Sequence, residues 1–208
     1  MPTDALPVLY SFRRCPFAMR ARLALAVSEQ ACELREVVLR DKPAGLLRAS
    51  PKGTVPVLVT AAGAIEQSLQ IMLWALGRAD PQDWLTPPHG TLDDMLALIG
   101  RCDDTFKRHL DRYKYPDRYP GEDRLAHRAA GGVFLDELNR RLSASAYLFG
   151  PRPALADRAI APFVRQFAHT DHGWFAAQPW PALQAWLDAF VTSALFERVM
   201  HKYPQWSA

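Results

Sequence analysis

Cysteine is scarce in this chain. Its 208 residues hold three, Cys15, Cys32 and Cys102, too few and too irregularly spaced for a disulfide framework or a zinc site of paired cysteines. No apolar run approaches the ~20 residues that span a bilayer, so no membrane association is expected. The opening Met1-Pro2-Thr3-Asp4-Ala5-Leu6 has no basic stretch followed by a long apolar one, so no signal peptide is expected, and the expected location is cytoplasmic. An excess of charge is missing too: 25 Lys and Arg against 22 Asp and Glu leave a formal net charge of +3. That attracts anions mildly and gives no footprint for nucleic acid. Internal repeats and low-complexity tracts are absent. What is present is ample for a packed core: 49% of residues are hydrophobic and 23% charged, enough for one large domain or two small ones.

The most informative stretch is Val8 to Leu25. Val8 to Phe12 reads as a buried strand. Arg13, Arg14 and Cys15 follow, then Pro16 opens a segment with helical spacing, in which Met19, Leu23, Ala24 and Val27 share a face. Proline suits the first helical position, where its missing N–H would have had no partner. Cys15 therefore falls at a helix N-terminus, where free N–H groups, the helix dipole and the two arginines favour a thiolate. The plain alternative is a small apolar filler. The basic strand-to-helix corner argues for reactivity.

Further along, residues 32–39 read as a second strand, which makes a β-α-β unit with a parallel pair. A short helix is expected from Ala44 to Ala49. Val57 to Val59 is a strand preceded by Pro56, a hairpin turns at Ala61-Ala62-Gly63, and Ala64 to Glu66 closes the set. Gln67-Ser68 then caps a helix over Leu69 to Leu76. Its start offers an anion site or simply a serine N-cap.

Residues 79–90, rich in Pro, Gly and Asp, read as a linker between a domain at 1–78 and an all-helical one at 91–208. Periodicity in the second predicts helices from Asp93 to about Tyr113 and from Glu122 to about Leu142, with Val133, Leu135, Leu138 and Leu142 in the core. Ala154-Leu155-Ala156-Asp157 opens a further helix, with Ile160, Phe163, Val164 and Phe167 inward. Between the first two, Tyr113-Lys114-Tyr115-Pro116-Asp117-Arg118-Tyr119 combines tyrosines with cations and suits a planar or anionic ligand, or a stiff surface turn. His169, Asp171 and His172 form a short cluster, for which no metal is expected.

Cys15-Pro16-Phe17-Ala18 after a first strand resembles the omega-class, cysteine-type glutathione transferases. The likeness covers residues 7–78 in motif order and spacing. It implies an α/β thioredoxin-like domain with a mixed four-stranded sheet, followed by an all-α domain. Ala18 stands where dithiol relatives of that fold carry a second cysteine. The resemblance implies that Cys15 is the nucleophile, that Phe17 lies beside glutathione, and that Lys42 meets its glycine carboxylate. It also implies a cis Val55-Pro56 bond that offers the Val55 backbone, and Gln67 with Ser68 at the γ-glutamyl end. The family has Glu where Gln67 stands. Arg13, Arg14, Tyr113, Tyr115 and Trp174 are candidates for a second-substrate pocket. The implied activity is glutathione-dependent thiol transfer or reduction of a small electrophilic or disulfide substrate, with glutathione as co-substrate, in a homodimer. Two readings stand beside it. One is a conjugating transferase that activates glutathione with Ser11 or Tyr10, and the other is a non-catalytic partner-binding protein of the same fold.

Overall fold

In the computed structural model, which describes residues 6–207, the first apolar run forms β1 (Val8–Ser11). Leu9, Tyr10 and Ser11 are buried. The chain then crosses through α1 (Pro16–Val27) to β2 (Glu33–Glu36), which lies parallel to β1. After α2 (Ala44–Ala49), β3 (Val57–Thr60) returns antiparallel to β1, and β4 (Gly63–Ile65) pairs antiparallel with β3. The sheet order is β2-β1-β3-β4. Helix α3 (Ser68–Leu76) packs against α1. Met19, Leu23, Ala24 and Val27 are all buried, as the helical spacing predicted.

The other elements are helical. α4 (Leu92–Arg101) starts from a capping box in which Thr91 Oγ1 accepts from the Asp94 N–H and Asp94 accepts from the Thr91 N–H. The single helix expected to Tyr113 is interrupted. A π-helical turn (Cys102–Phe106) separates α4 from α5 (Lys107–Lys114) without a break in the chain's direction. Such a turn adds a residue to the helical repeat. Cys102 and Phe106 both face inward, and Phe106 packs on Phe134 and Phe167 at ring distances of 5.0 and 5.5 Å.

α6 (Arg124–Ala144) buries Phe134, Leu135, Leu138 and Leu142. Val133 does not join them and is 68% exposed. Two residues turn a helix by about 200°, so Val133 faces away from Leu135. Gly131 takes the inward position instead, and a Cβ there would stand 2.8 Å from the Phe167 ring. α7 (Leu155–Ala168), α8 (His172–Ala176) and α9 (Pro181–Val191) complete this set.

α10 (Ala194–Val199) packs on α1. The described residues therefore divide into one unit that runs to Gln82 and resumes at Ser193, and a second, Asp83–Thr192. Trp84, within the stretch read as linker, is fully buried in the second unit and its carbonyl accepts from the Leu155 N–H at 2.9 Å. Among the described residues, no helix is long and apolar enough to cross a membrane.

One pair in the second unit carries a pH prediction. His109 and His127 face each other with Nδ1 atoms 2.9 Å apart, and His127 Nε2 lies 2.6 Å from Glu122. Burial holds His109 below its ordinary value. Arg108, His127 and Arg112 act in the same direction, and Glu122 opposes them. A histidine whose folded value is depressed contributes stability above its unfolded value near 6.5. That contribution is lost as pH falls through the lower folded value. Thermal unfolding should thus show a Tm that drops between pH 7.5 and 5.5, with a shallower drop in His109→Gln. An equal slope in both proteins would refute the assignment.

Candidate functional site

The sheet register brings the expected site residues to one end. Tyr10 pairs with Val57, so continuing the two strands sets Phe12 opposite Val55. Leu58 pairs with Ile65, which carries Gln67 toward Pro56 at that same end. β2 runs parallel to β1, with Glu36 beside Ser11, so the chain leaves it there on its way to Lys42. Antiparallel and parallel pairing together thus collect the β1–α1 turn, Val55 and the start of α3.

Cys15 occupies the N-cap of α1, with φ −73° and ψ 123°, and makes no side-chain capping bond. Pro16 is the first helical residue, as its fixed φ favours. The turn is closed by the Cys15 N–H on the Phe12 carbonyl at 3.0 Å. The thiol Sγ lies 3.7 Å from the Val55 carbonyl oxygen, toward which it donates. The Val55-Pro56 bond is cis. Cys15 and Val55 belong to a cluster with Tyr10, Val37, Leu46 and Val57.

Around this pair the expected ligand residues fall as follows. Phe17 is half-buried with the Arg20 guanidinium over its ring at 5.5 Å. Lys42 is exposed and crosses Gly53, where a Cβ would stand 3.1 Å from the Lys42 Nζ. Gly53 has φ +58°, a left-handed conformation that glycine adopts at the lowest cost, so backbone and close approach both favour it. Ser68 is buried, and it is the first residue of α3 rather than its cap. Gln67 holds the N-cap position, exposed and with no side-chain capping bond. The first N–H groups of α3 thus have no cap from Gln67 and point to the same end of the sheet as Cys15. Glu66 turns aside, accepting from Ser50 Oγ at 2.7 Å.

The two arginines of the turn make different contacts. Arg14 is exposed, with its guanidinium 5.5 Å from the Phe12 ring centre. The Arg13 N–H donates to Glu36 Oε1 at 2.7 Å. Behind the turn lies Arg22, a second buried arginine of α1 beside Arg20, which was not among the expected residues; its signal in the sequence was a charge on an otherwise apolar helix face. Its guanidinium donates to Ser11 Oγ at 2.5 Å and to the Arg13 carbonyl at 2.7 Å.

The other cysteines are poor nucleophiles. Burial pushes the Cys32 thiol up, and Cys102 is fully buried in the π turn. Among the described residues, no group of three or more His, Cys, Asp or Glu could hold a metal.

The match to known families fits this geometry. Residues 9–83 match the glutathione S-transferase N-terminal domain and residues 97–189 match the C-terminal domain of the same family. The chain belongs to the glutathione S-transferase family. It is 29% identical over 194 residues to a probable glutathione S-transferase GSTU1 of Oryza sativa subsp. japonica, covering 86% of this chain and 82% of that protein. Shorter matches join it to pyrimidodiazepine synthase of Drosophila melanogaster, 41% over 58 residues, and to glutathione S-transferase omega-1 of Mus musculus, 33% over 79. These cover 28% and 38% of this chain but only 24% and 33% of those proteins. A transferase family member of Pseudomonas fluorescens pf-5, solved with two glutathiones bound, superposes with TM-score 0.80 at 16% identity, over 96% of this chain and 94% of that one. The fold is thus the glutathione S-transferase fold, a mixed four-stranded sheet domain plus a helical one.

In this family member the remaining candidates lie in the helical unit, and one is a core residue. Tyr113 is 1% exposed, packed 5.0 Å from the Phe167 ring with the Arg124 guanidinium over its face. The position follows from α5, whose inward stripe takes Leu110 and then Tyr113 three residues on. Tyr115 is half-buried and holds the Arg118 and Lys114 cations over its ring at 4.3 and 5.2 Å. Trp174 is half-buried, edge-on to Trp180 at 5.6 Å and capped by Arg128 at 4.4 Å. Tyr115 is thus engaged by cations of its own loop, while Tyr113 and Tyr119 lie under Arg124 of α6 and Arg112 of α5.

Proposed function

We propose that this transferase-family protein is a glutathione-dependent thiol transferase whose nucleophile is Cys15. The observation that carries the reading is the setting of that thiol: the N-cap of a twelve-residue helix, uncapped by its own side chain and 3.7 Å from the Val55 carbonyl. The thiolate attacks the glutathione sulfur of a mixed disulfide, the S–S bond breaks, and the substrate leaves as a thiolate that takes a proton from water. A second glutathione thiolate then attacks the Cys15–glutathione disulfide, releasing oxidised glutathione and restoring Cys15. Small electrophiles or disulfides are the second substrates, and the protein acts as a cytoplasmic homodimer.

The hydroxyls a conjugating mechanism would use are buried and already accept hydrogen bonds from arginines. Ser11 is fully buried and accepts from Arg22. Tyr10 is 3% exposed and its hydroxyl accepts from Arg35 at 2.9 Å. Alkylation of Cys15 across pH tests the proposal. A midpoint well below the ordinary ~8.5 supports it, and an ordinary midpoint with no glutathione–disulfide exchange overturns it.

In the ligand assignment, Lys42 takes the glycine carboxylate, the Val55 backbone pairs with the cysteinyl portion, and Gln67, Ser68 and the α3 N-terminus hold the γ-glutamyl end beside Phe17. A neutral Gln67 gives the γ-glutamyl ammonium a dipole where a carboxylate would give a charge. Charge-assisted bonds are roughly twice as strong as neutral ones. Gln67→Glu should therefore tighten glutathione binding by about threefold or more in calorimetry, with the gain shrinking in high salt. Unchanged or weaker binding would remove Gln67 from the site.

A further inference from the structure

The turn that carries Cys15 is held from behind by groups on several elements of its own unit. Arg22 Nη1 donates to Ser11 Oγ at 2.5 Å and to the Phe12 carbonyl at 3.4 Å, and Nη2 donates to the Arg13 carbonyl at 2.7 Å. Its Nε reaches the Val199 carbonyl at the end of α10, at 2.9 Å, and Met200 Sδ lies 3.7 Å from Nη2. A guanidinium presents its donors in a rigid planar fork. One side chain thus ties the peptide groups just ahead of Cys15 to residues near the far end of the chain.

Glu36 makes a second tie. Its carboxylate accepts from the Arg13 N–H at 2.7 Å, and its backbone carbonyl accepts from the Trp206 N–H at 2.8 Å. The Trp206 ring is stacked by the Arg35 guanidinium at 4.3 Å and meets Tyr10 edge-on at 6.2 Å. Gln205 Nε2 donates to Asp41 at 3.2 Å. Residues 201–207 form no helix or strand, so these contacts locate them.

Charge points the same way as geometry. Burial lowers Arg22 to about 10, the Glu36 carboxylate, the Cys15 thiolate and Tyr203 act to hold its proton on, and the Arg13 cation opposes them. The effect is reciprocal: a cation that the thiolate stabilises also stabilises the thiolate.

We infer that Arg22, with the C-terminal segment it clasps, is a positioning element for Cys15, fixing the 12–15 turn and keeping a positive charge behind the thiolate. Arg22 reaches no ligand itself and acts through the peptide groups of the turn. The inference rests on the thiol-transfer reading of Cys15.

The test is alkylation of Cys15 in the full-length protein by iodoacetamide across pH, resolved by site with mass spectrometry. Arg22→Met should move the midpoint up by about half to one pH unit, as loss of a nearby opposite charge predicts. Arg22→Lys keeps the charge and loses the fork. It should recover most of that midpoint while alkylation at its plateau stays several-fold slower. Trp206→Ala, which leaves Arg22 in place, should slow the plateau about two- to fivefold with a small shift in midpoint. Should Arg22→Met fail to fold, the other two variants decide. Wild-type profiles in Arg22→Lys and Trp206→Ala overturn the inference, as does an unmoved midpoint in a folded Arg22→Met. The thiol-transfer reading is read separately, from turnover of a glutathione mixed disulfide by Cys15→Ser, so its failure is distinguishable from a failure of Arg22.

Discussion

Replacing Cys15 by serine should abolish glutathione–disulfide exchange, lowering turnover by about a thousandfold or more, the scale seen when a covalent nucleophile is removed. The magnitude follows from the chemistry. A serine hydroxyl at this N-cap has a far higher pKa than a thiol, so a helix dipole worth about 1 kcal/mol cannot ionise it at neutral pH. Nor can it form the S–S bond on which the second half of the cycle depends. Neither remaining cysteine can substitute. Cys32 is half-buried with its thiol pushed up, and Cys102 is sealed in the helical unit. Glutathione itself should still bind Cys15→Ser, because the assigned contacts of Lys42, Val55, Gln67 and Ser68 are untouched. Calorimetry should therefore show affinity within about threefold of wild type while exchange is lost. Retention of exchange in the variant would move the mechanism to another group and remove Cys15 as nucleophile. Joint loss of binding and exchange would mean that the side chain shapes the pocket, and the kinetic result alone would then prove nothing about nucleophilicity.

The N-terminal half was more legible in the sequence than the site's support. Val8 to Ser11, α1, α2 and the β3–β4 hairpin are set by local signals: an apolar run, a proline at N1, a glycine at the turn. Each agrees with the tertiary outcome. Arg22 and Glu36 were missed because what makes them important is a long-range bond, to Val199 and Trp206 respectively, and spacing carries no information about partners 170 or so residues away. The helical half failed in a different manner. Val133 is apolar, and only its rotation about α6 relative to Leu135 sends it to solvent. The small Gly131, with no apolar signal, is the residue that meets Phe167. Tyr113 was read with the polar loop that follows it, yet its position three residues after Leu110 places it on the buried stripe of α5. The buried positions keep three- and four-residue spacing through the π turn, from Met95 and Ile99 to Cys102, Phe106, Leu110 and Tyr113, so only the helix's continuity was misread there.

Asp157 should be the most costly single polar position in the helical unit. Ala154, at the N-cap of α7, has no side-chain oxygen to receive the free N–H groups of the first turn. Asp157 supplies the other half of a capping box on its own: Oδ2 accepts from the Ala154 N–H at 2.9 Å. Its Oδ1 accepts from the Leu148 N–H at 3.0 Å and from Trp186 Nε1 at 2.9 Å. One carboxylate, 2% exposed, thus joins the start of α7, the turn before it and α9. Burial alone pushes its pKa up, and the three donors pull the other way without overcoming it. Asp157→Ala would strand three buried donors and leave a void. Each unsatisfied buried donor costs about 1–3 kcal/mol, so a loss of about 3 kcal/mol or more is expected in urea unfolding. Asp157→Asn separates bonding from charge. Its oxygen can keep the Leu148 and Trp186 bonds, while its amide NH2 would face the Ala154 N–H donor-to-donor, so a loss of about 1–2 kcal/mol is expected. If alanine cost less than about 1 kcal/mol, water or a relaxed turn would have to be satisfying those donors. Asp157 would then be a local cap rather than the junction of three segments.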